Sequence, residues 1–125
     1  MGRVELPATL RAFIERHFTS AAQVEILLLL HRERENWSAA TVARELRFHP
    51  DQAQQLLTEL AKSGLVAHDV DIYHYAPRTA ELAARVDALA EFYPSFRMAI
   101  ISLIYSKPDR SIRDFSRAFR LRDED

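Results

Sequence analysis

The chain has 125 residues, 48% of them hydrophobic, and a formal net charge of −1, which fits one globular domain around one core and excludes a disordered chain. Near-neutrality argues against a protein that coats nucleic acid or membrane by charge alone, and the lack of cysteine excludes disulfides, thiolate zinc sites and a cysteine nucleophile. The start carries no secretory apolar run, and no apolar stretch approaches the ~20 residues that span a bilayer, so a cytoplasmic protein with no membrane partner is expected.

Pro7 suits the first turn of a helix in which Leu10, Phe13, Ile14 and Phe18 recur at helical spacing. Ser20 followed by Gln23 forms a capping-box pattern that opens a second helix over 21–33. Val24, Leu27, Leu28 and His31 share one face there, and Ile26, Leu29 and Leu30 make the helix apolar nearly all round. Such a helix sits at the centre of a fold or between subunits. The run 31–37, with charges of both signs, reads as facing water. Residues 1–37 are thus expected to pack on the core or on a dimer partner.

Ser38 is a good N-cap for a short helix over Ala39–Leu46 that turns Val42 and Leu46 inward. Arg47-Phe48-His49 is the turn, and Pro50 starts the next helix, over 50–63, with Ala53, Leu56, Leu57 and Leu60 as its buried stripe. Gly64 stops it. Residues 65–68 and 72–76 then alternate as two short strands around a tip of Asp69-Val70-Asp71. Residues 38–78 therefore read as a helix-turn-helix with a hairpin wing.

Pro77 ends the hairpin and Thr79 caps a long helix over 79–106. Leu82, Val86, Leu89, Tyr93, Phe96, Ile100 and Leu103 alternate spacings of four and three, an a/d seam for packing against another helix. The seam serves either the core of one protomer or a homodimer, and the dimerising reading is preferred because a domain this small buries few turns alone. Pro94 predicts a kink near 91–94, with the phase of the seam preserved. Residues 107–125 form an amphipathic basic tail with an acidic end. Ile112, Phe115 and Phe119 make one face, Arg113, Arg117 and Arg120 lie beside it, and Asp123-Glu124-Asp125 closes the chain. The expected fold class is mainly α with a small β-hairpin wing: a winged helix-turn-helix with a long C-terminal helix.

The Val42-Ala43-x-x-Leu46 helix, the turn before Pro50, the Leu56-x-x-x-Leu60 helix ending in Ser63-Gly64-Leu65-Val66 and the hairpin after it resemble winged helix-turn-helix transcriptional regulators of the MarR kind. The resemblance covers about residues 20–76, and Leu82 to Leu103 corresponds to the dimer helix such regulators append. It implies double-stranded DNA as partner, with the second helix of the motif in the major groove. Its outward positions are Asp51, Gln55, Thr58, Glu59 and Lys62, with Gln52 and Gln54 on the flanks. Gln52, Gln55 and Thr58 are the candidate base readers, glutamine because its amide pairs with adenine N6 and N7. Arg44, Arg47 and Lys62 are the candidate phosphate contacts.

The charge pattern departs from the resemblance. Residues 38–78 carry four cations, Arg44, Arg47, Lys62 and Arg78, against five anions, Glu45, Asp51, Glu59, Asp69 and Asp71. MarR-like regulators carry Asp-x-Arg near the wing tip with the arginine in the minor groove, and here the arginine is replaced by Asp71. The wing as written does not insert into DNA. The tail, with six cations against two anions over 107–122, is expected to dock on the body through its apolar face, to hold phosphates, or both.

Two functions stay open: a homodimeric DNA-binding transcriptional regulator, and a winged-helix adaptor whose acidic wing meets a basic protein partner. An enzyme is not expected, since no glycine-rich phosphate loop or recognisable catalytic arrangement is present. Nor is a cofactor. His68 and His74 flank the wing aspartates at a spacing that is not a standard ligand pattern, so no metal site is assigned. Tyr73, Tyr75 and Tyr93 read as packing residues.

Overall fold

Side chains just ahead of the helices set where they begin. Ser20 and Ser38 each accept a hydrogen bond from the backbone N–H three residues on, and the Gln23 and Thr41 side chains each accept one from the cap's own backbone N–H. His49 Nδ1 accepts from Asp51 N at 3.1 Å, and Thr79 Oγ1 from Leu82 N at 3.1 Å. The structure, a computed structural model, describes residues 5–106. The helices so defined are α1 (Ala8–His17), α2 (Ala21–Arg32), α3 (Ala39–Leu46), α4 (Pro50–Lys62) and α5 (Ala80–Tyr105). Strands β1 (Val66–Asp69) and β2 (Ile72–Tyr75) form an antiparallel hairpin between α4 and α5.

Helix α2 lies at the centre. Val24, Ile26, Leu27, Leu29 and Leu30 are all buried, and α2 packs against α3, α4, α5 and β2. Removing each of these side chains from water contributes roughly 1.5–3 kcal/mol. Helix α4 faces it with Ala53, Leu56, Leu57 and Leu60, the stripe the spacing predicts. Helix α1 closes the other side against α5 through Leu10, Phe13 and Ile14. Phe18, expected to extend that helix, ends it as the C-cap and is fully buried.

The run 31–37 does not all face water. Trp37 is buried and joins the wing as a third edge: its N–H donates to Tyr73 O at 2.8 Å, and Tyr73 N–H donates to Trp37 O at 2.7 Å. Its indole donates to Glu33 O at 3.1 Å. His31 sits between Asp87 Oδ1, 2.9 Å away, and the edge of the Tyr75 ring, so the end of α2 ties the wing to α5. Burial, then the nearby Asp87 charge, raises the Tyr75 phenol above its ordinary pKa, and the Arg34 guanidinium over its ring opposes them.

Helix α5 bends, but later than expected. Pro94 lies inside it, and the non-helical residue is Phe96. Tyr93, whose hydroxyl donates to Glu25 Oε2 at 2.6 Å, is held in the helix ahead of the proline, and the irregularity falls beyond it. The bend also moves the end of the seam: Ile100 and Ile104 are buried, while Leu103 is only half-buried.

Gly64 follows α4 with a φ of 80°, a left-handed conformation in which its carbonyl accepts from Arg78 N at 2.7 Å. A Cβ there would come within 3.1–3.3 Å of the Arg78 side chain. Gly64→Ala is therefore expected to lower stability by about 1–2 kcal/mol, from the left-handed backbone and the crowding together, read as a lower urea midpoint. The basic tail 107–125, with Ile112, Phe115, Phe119 and its arginines, lies outside the described residues.

Candidate nucleic-acid interface

The two helices of the motif are joined by Arg47-Phe48-His49, the first of which is left-handed. Arg47 has a φ of 63°, and both its own N–H and that of Phe48 donate to Ala43 O. Glycine or asparagine usually occupies such a position. An arginine there costs roughly 1–2 kcal/mol of backbone energy, and among the described residues its side chain makes no hydrogen bond or ion pair that offsets this. It is exposed, as are Arg44 and Lys62, and none of the three belongs to an ion pair among the described residues. Three cations, unpaired among the described residues, thus lie on or next to α4, whose outer face is amide-rich.

On α4, Gln52 and Gln55 are exposed and Thr58 is half-buried. The Thr58 hydroxyl donates back to Gln54 O at 2.8 Å, a bond that turns it along its own helix. Gln54 bridges to the wing, its amide donating to the Tyr73 hydroxyl at 2.6 Å. Glu59 does not point outward as the helical spacing predicts. Its two carboxylate oxygens accept from Gln23 Nε2 at 2.7 Å and Gln55 Nε2 at 3.4 Å, on the flank toward α2. Asp51 is the acid left exposed on this helix. Sequence reasoning missed Gln23. The Ser20–Gln23 capping pattern located it, but nothing local shows that the same amide reaches a second helix.

The wing presents a different chemistry. Val66 faces Tyr75, Ala67 faces His74, His68 faces Tyr73 and Asp69 faces Ile72, leaving Val70-Asp71 as a two-residue turn. His68 stacks on Tyr73 with ring centroids 4.4 Å apart, and its Nε2 hydrogen-bonds Val70 O. His74 lies on the opposite face of the hairpin, so the two imidazoles are not brought together. Val70 is left-handed, with a φ of 57°, and 78% exposed between two exposed aspartates. Two-residue hairpin turns favour glycine or asparagine at this position.

The seam of α5 divides. Val86, Leu89 and Ile100 are fully buried inside the protomer, while Leu82, Tyr93, Phe96 and Leu103 are half-buried against the same core. The first three are used in the core of one protomer and cannot at the same time form a surface seam. Met98, 72% exposed, and Tyr105 stand instead on the outward side of the second half of α5. A hollow of about 480 Å³ opens between α1 and α5, walled in part by Phe13, Arg16, His17 and Arg85. Burial and the adjacent Arg16 hold the His17 imidazole below its ordinary pKa.

Helices α3 and α4, the left-handed turn between them and the hairpin after them define a winged helix-turn-helix in a mainly helical domain. No protein-family model matches the sequence, and no curated protein matches it. Among solved structures, the chain is similar to the crystal structure of a MarR family protein of Mycobacterium tuberculosis, at 21% identity and a TM-score of 0.49, over 90% of this chain and 84% of that one. No helix among the described residues is long and apolar enough to cross a membrane.

Proposed function

We propose that this chain is a DNA-binding transcriptional regulator that reads duplex with α4 and keeps its wing off the DNA. The observation that carries the reading is the outer surface of α3 and α4. Arg44, Arg47 and Lys62 are exposed and unpaired among the described residues, next to exposed Gln52 and Gln55. Arg47 sits at a strained position with no compensating hydrogen bond or ion pair among the described residues, a pattern found at functional residues. Gln52, Gln55 and Thr58 meet base edges, and the three cations hold phosphates and set the register.

The regulator works as a homodimer, which doubles these contacts and matches a two-fold DNA site. Since Val86, Leu89 and Ile100 are used within the protomer, self-association runs through the outward side of the second half of α5, at Met98 and Tyr105. The exposed Asp69 and Asp71 repel phosphate, so the wing adds nothing to affinity. Asp69→Arg combined with Asp71→Arg is expected to tighten duplex binding and to steepen its salt dependence by up to about 0.9 per new phosphate contact, read by fluorescence anisotropy across a salt series. Unchanged affinity and slope would place the wing away from the DNA in every orientation.

A second reading is favoured by Val70. It is an exposed, β-branched residue in a left-handed turn whose side chain is not buried against the described residues, and its carbonyl is held in place by His68. A rigid apolar tip between two acids suits a basic protein partner with an apolar socket. Val70→Gly is expected to stabilise the fold by up to about 1 kcal/mol, because relief of the left-handed valine outweighs the added chain entropy of glycine. Thermal unfolding measures that gain. Loss of a protein partner in the same variant favours the adaptor reading, and retention opposes it.

A further inference from the structure

The DNA reading leaves an electrostatic difficulty: Glu59 and Lys62 lie three residues apart on α4, where side chains are neighbours and opposite charges pair. A Glu59–Lys62 pair would neutralise one of the few cations on this face. The structure shows a different arrangement. Lys62 is in no ion pair among the described residues, and the Glu59 carboxylate is taken by two neutral amides, Gln23 and Gln55.

Gln23 is placed for this. It is 4% exposed, the one buried polar side chain among the described residues. Its Oε1 accepts from Thr19 N at 2.6 Å and Ser20 N at 3.3 Å. Those two backbone donors fix which end of the amide is oxygen, so Nε2 is the end turned toward α4, where it donates to Glu59 Oε1 at 2.7 Å. Two residues before Gln23, Ala21 N–H donates to the Tyr105 hydroxyl at 2.9 Å. The start of α2 is thereby tied to the end of α5 as well as to α4.

We infer that Gln23 is a positioning residue of the DNA surface: it holds the Glu59 carboxylate on the α2 flank and so leaves Lys62 free to meet a phosphate. This rests on the DNA reading. Without the Gln23 amide, Glu59 keeps only the longer bond to Gln55 and swings to Lys62, and one phosphate contact per protomer is lost.

The test is the salt dependence of duplex binding by the full-length protein and its variants, read by anisotropy on one duplex from ~50 to ~200 mM salt. Gln23→Met is expected to lower the slope of log K against log salt by about 0.9 per protomer, the same change as Lys62→Met. Glu59→Gln alone keeps the original slope, and adding it to Gln23→Met restores that slope. Gln23→Asn, which keeps a polar cap but is too short to reach Glu59, repeats the measurement if Gln23→Met does not fold. An unchanged slope in the folded Gln23 variant overturns the inference. So does a loss that Glu59→Gln does not restore, since Gln23 would then only support α2. Absence of duplex binding by the unsubstituted protein overturns the DNA reading itself, and this inference with it.

Discussion

Replacing Arg44, Arg47 and Lys62 together with glutamine is expected to weaken duplex binding by about 10²–10³-fold near ~100 mM salt and to flatten its salt dependence. Each cation that neutralises a phosphate releases counterions and contributes about 0.9 to the slope, and a dimer loses six such contacts at once. The side chains are exposed and, among the described residues, outside every ion pair. Stability should therefore change by less than about 0.5 kcal/mol, and a thermal melt run beside the anisotropy titration separates lost binding from lost fold. Arg47→Gln keeps a non-glycine residue in the left-handed turn, so the backbone cost stays the same on both sides of the comparison. An affinity that survives the triple change would move the nucleic-acid surface away from α3 and α4.

The largest effect on stability is expected at Tyr73. Its ring is 1% exposed, stacks on His68 and carries the hydroxyl that accepts from Gln54. Its backbone holds Trp37 on both sides. Tyr73→Ala leaves a cavity at the junction of the wing, α4 and the 31–37 segment, at a cost of about 3–5 kcal/mol, a large part of the 5–15 kcal/mol that holds an ordinary domain together. Tyr73→Phe keeps the ring and loses only the hydroxyl, for about 1 kcal/mol. Urea denaturation of the two variants gives the comparison. Equal losses would mean that the Gln54 bond, and not the packing, anchors the wing.

What could be read from the sequence was local. Ser20, Ser38 and Thr79 announced helix starts because capping is settled within four residues, and Gly64 announced a stop because the left-handed region admits few side chains. The stripe Ala53, Leu56, Leu57 and Leu60 was equally plain, since one helical period fixes it. The misreadings share a long-range cause. Trp37 ends a segment whose charges point to water, and its burial comes from pairing with Tyr73 of β2, thirty-six residues further along the chain. Glu59 looked outward because the helical wheel knows nothing of Gln23, a neighbour from another helix. The α5 seam looked like a dimer face because an a/d pattern reports a partner helix without saying whose. Part of that partner is α1 of the same protomer.

For the site, the candidate residues were legible as residue types on an outward face, and the structure does place Gln52, Gln55, Arg44, Arg47 and Lys62 in the open. Thr58 is less available than its helical position implies, with its hydroxyl already donated to Gln54 O. The charge sum over 38–78 overstated the opposition to DNA, because Glu59 is held on the flank toward α2, while the wing aspartates remain fully in play.

The most direct measurement is an anisotropy titration of the full-length protein against random duplex and genomic promoter fragments at ~50 mM salt. Binding is expected to both, tighter to a subset of the promoter fragments and weakening steeply as salt rises. No binding to any duplex at ~50 mM salt would contradict the DNA reading and leave the acidic wing, with Val70 at its tip, as the surface to follow.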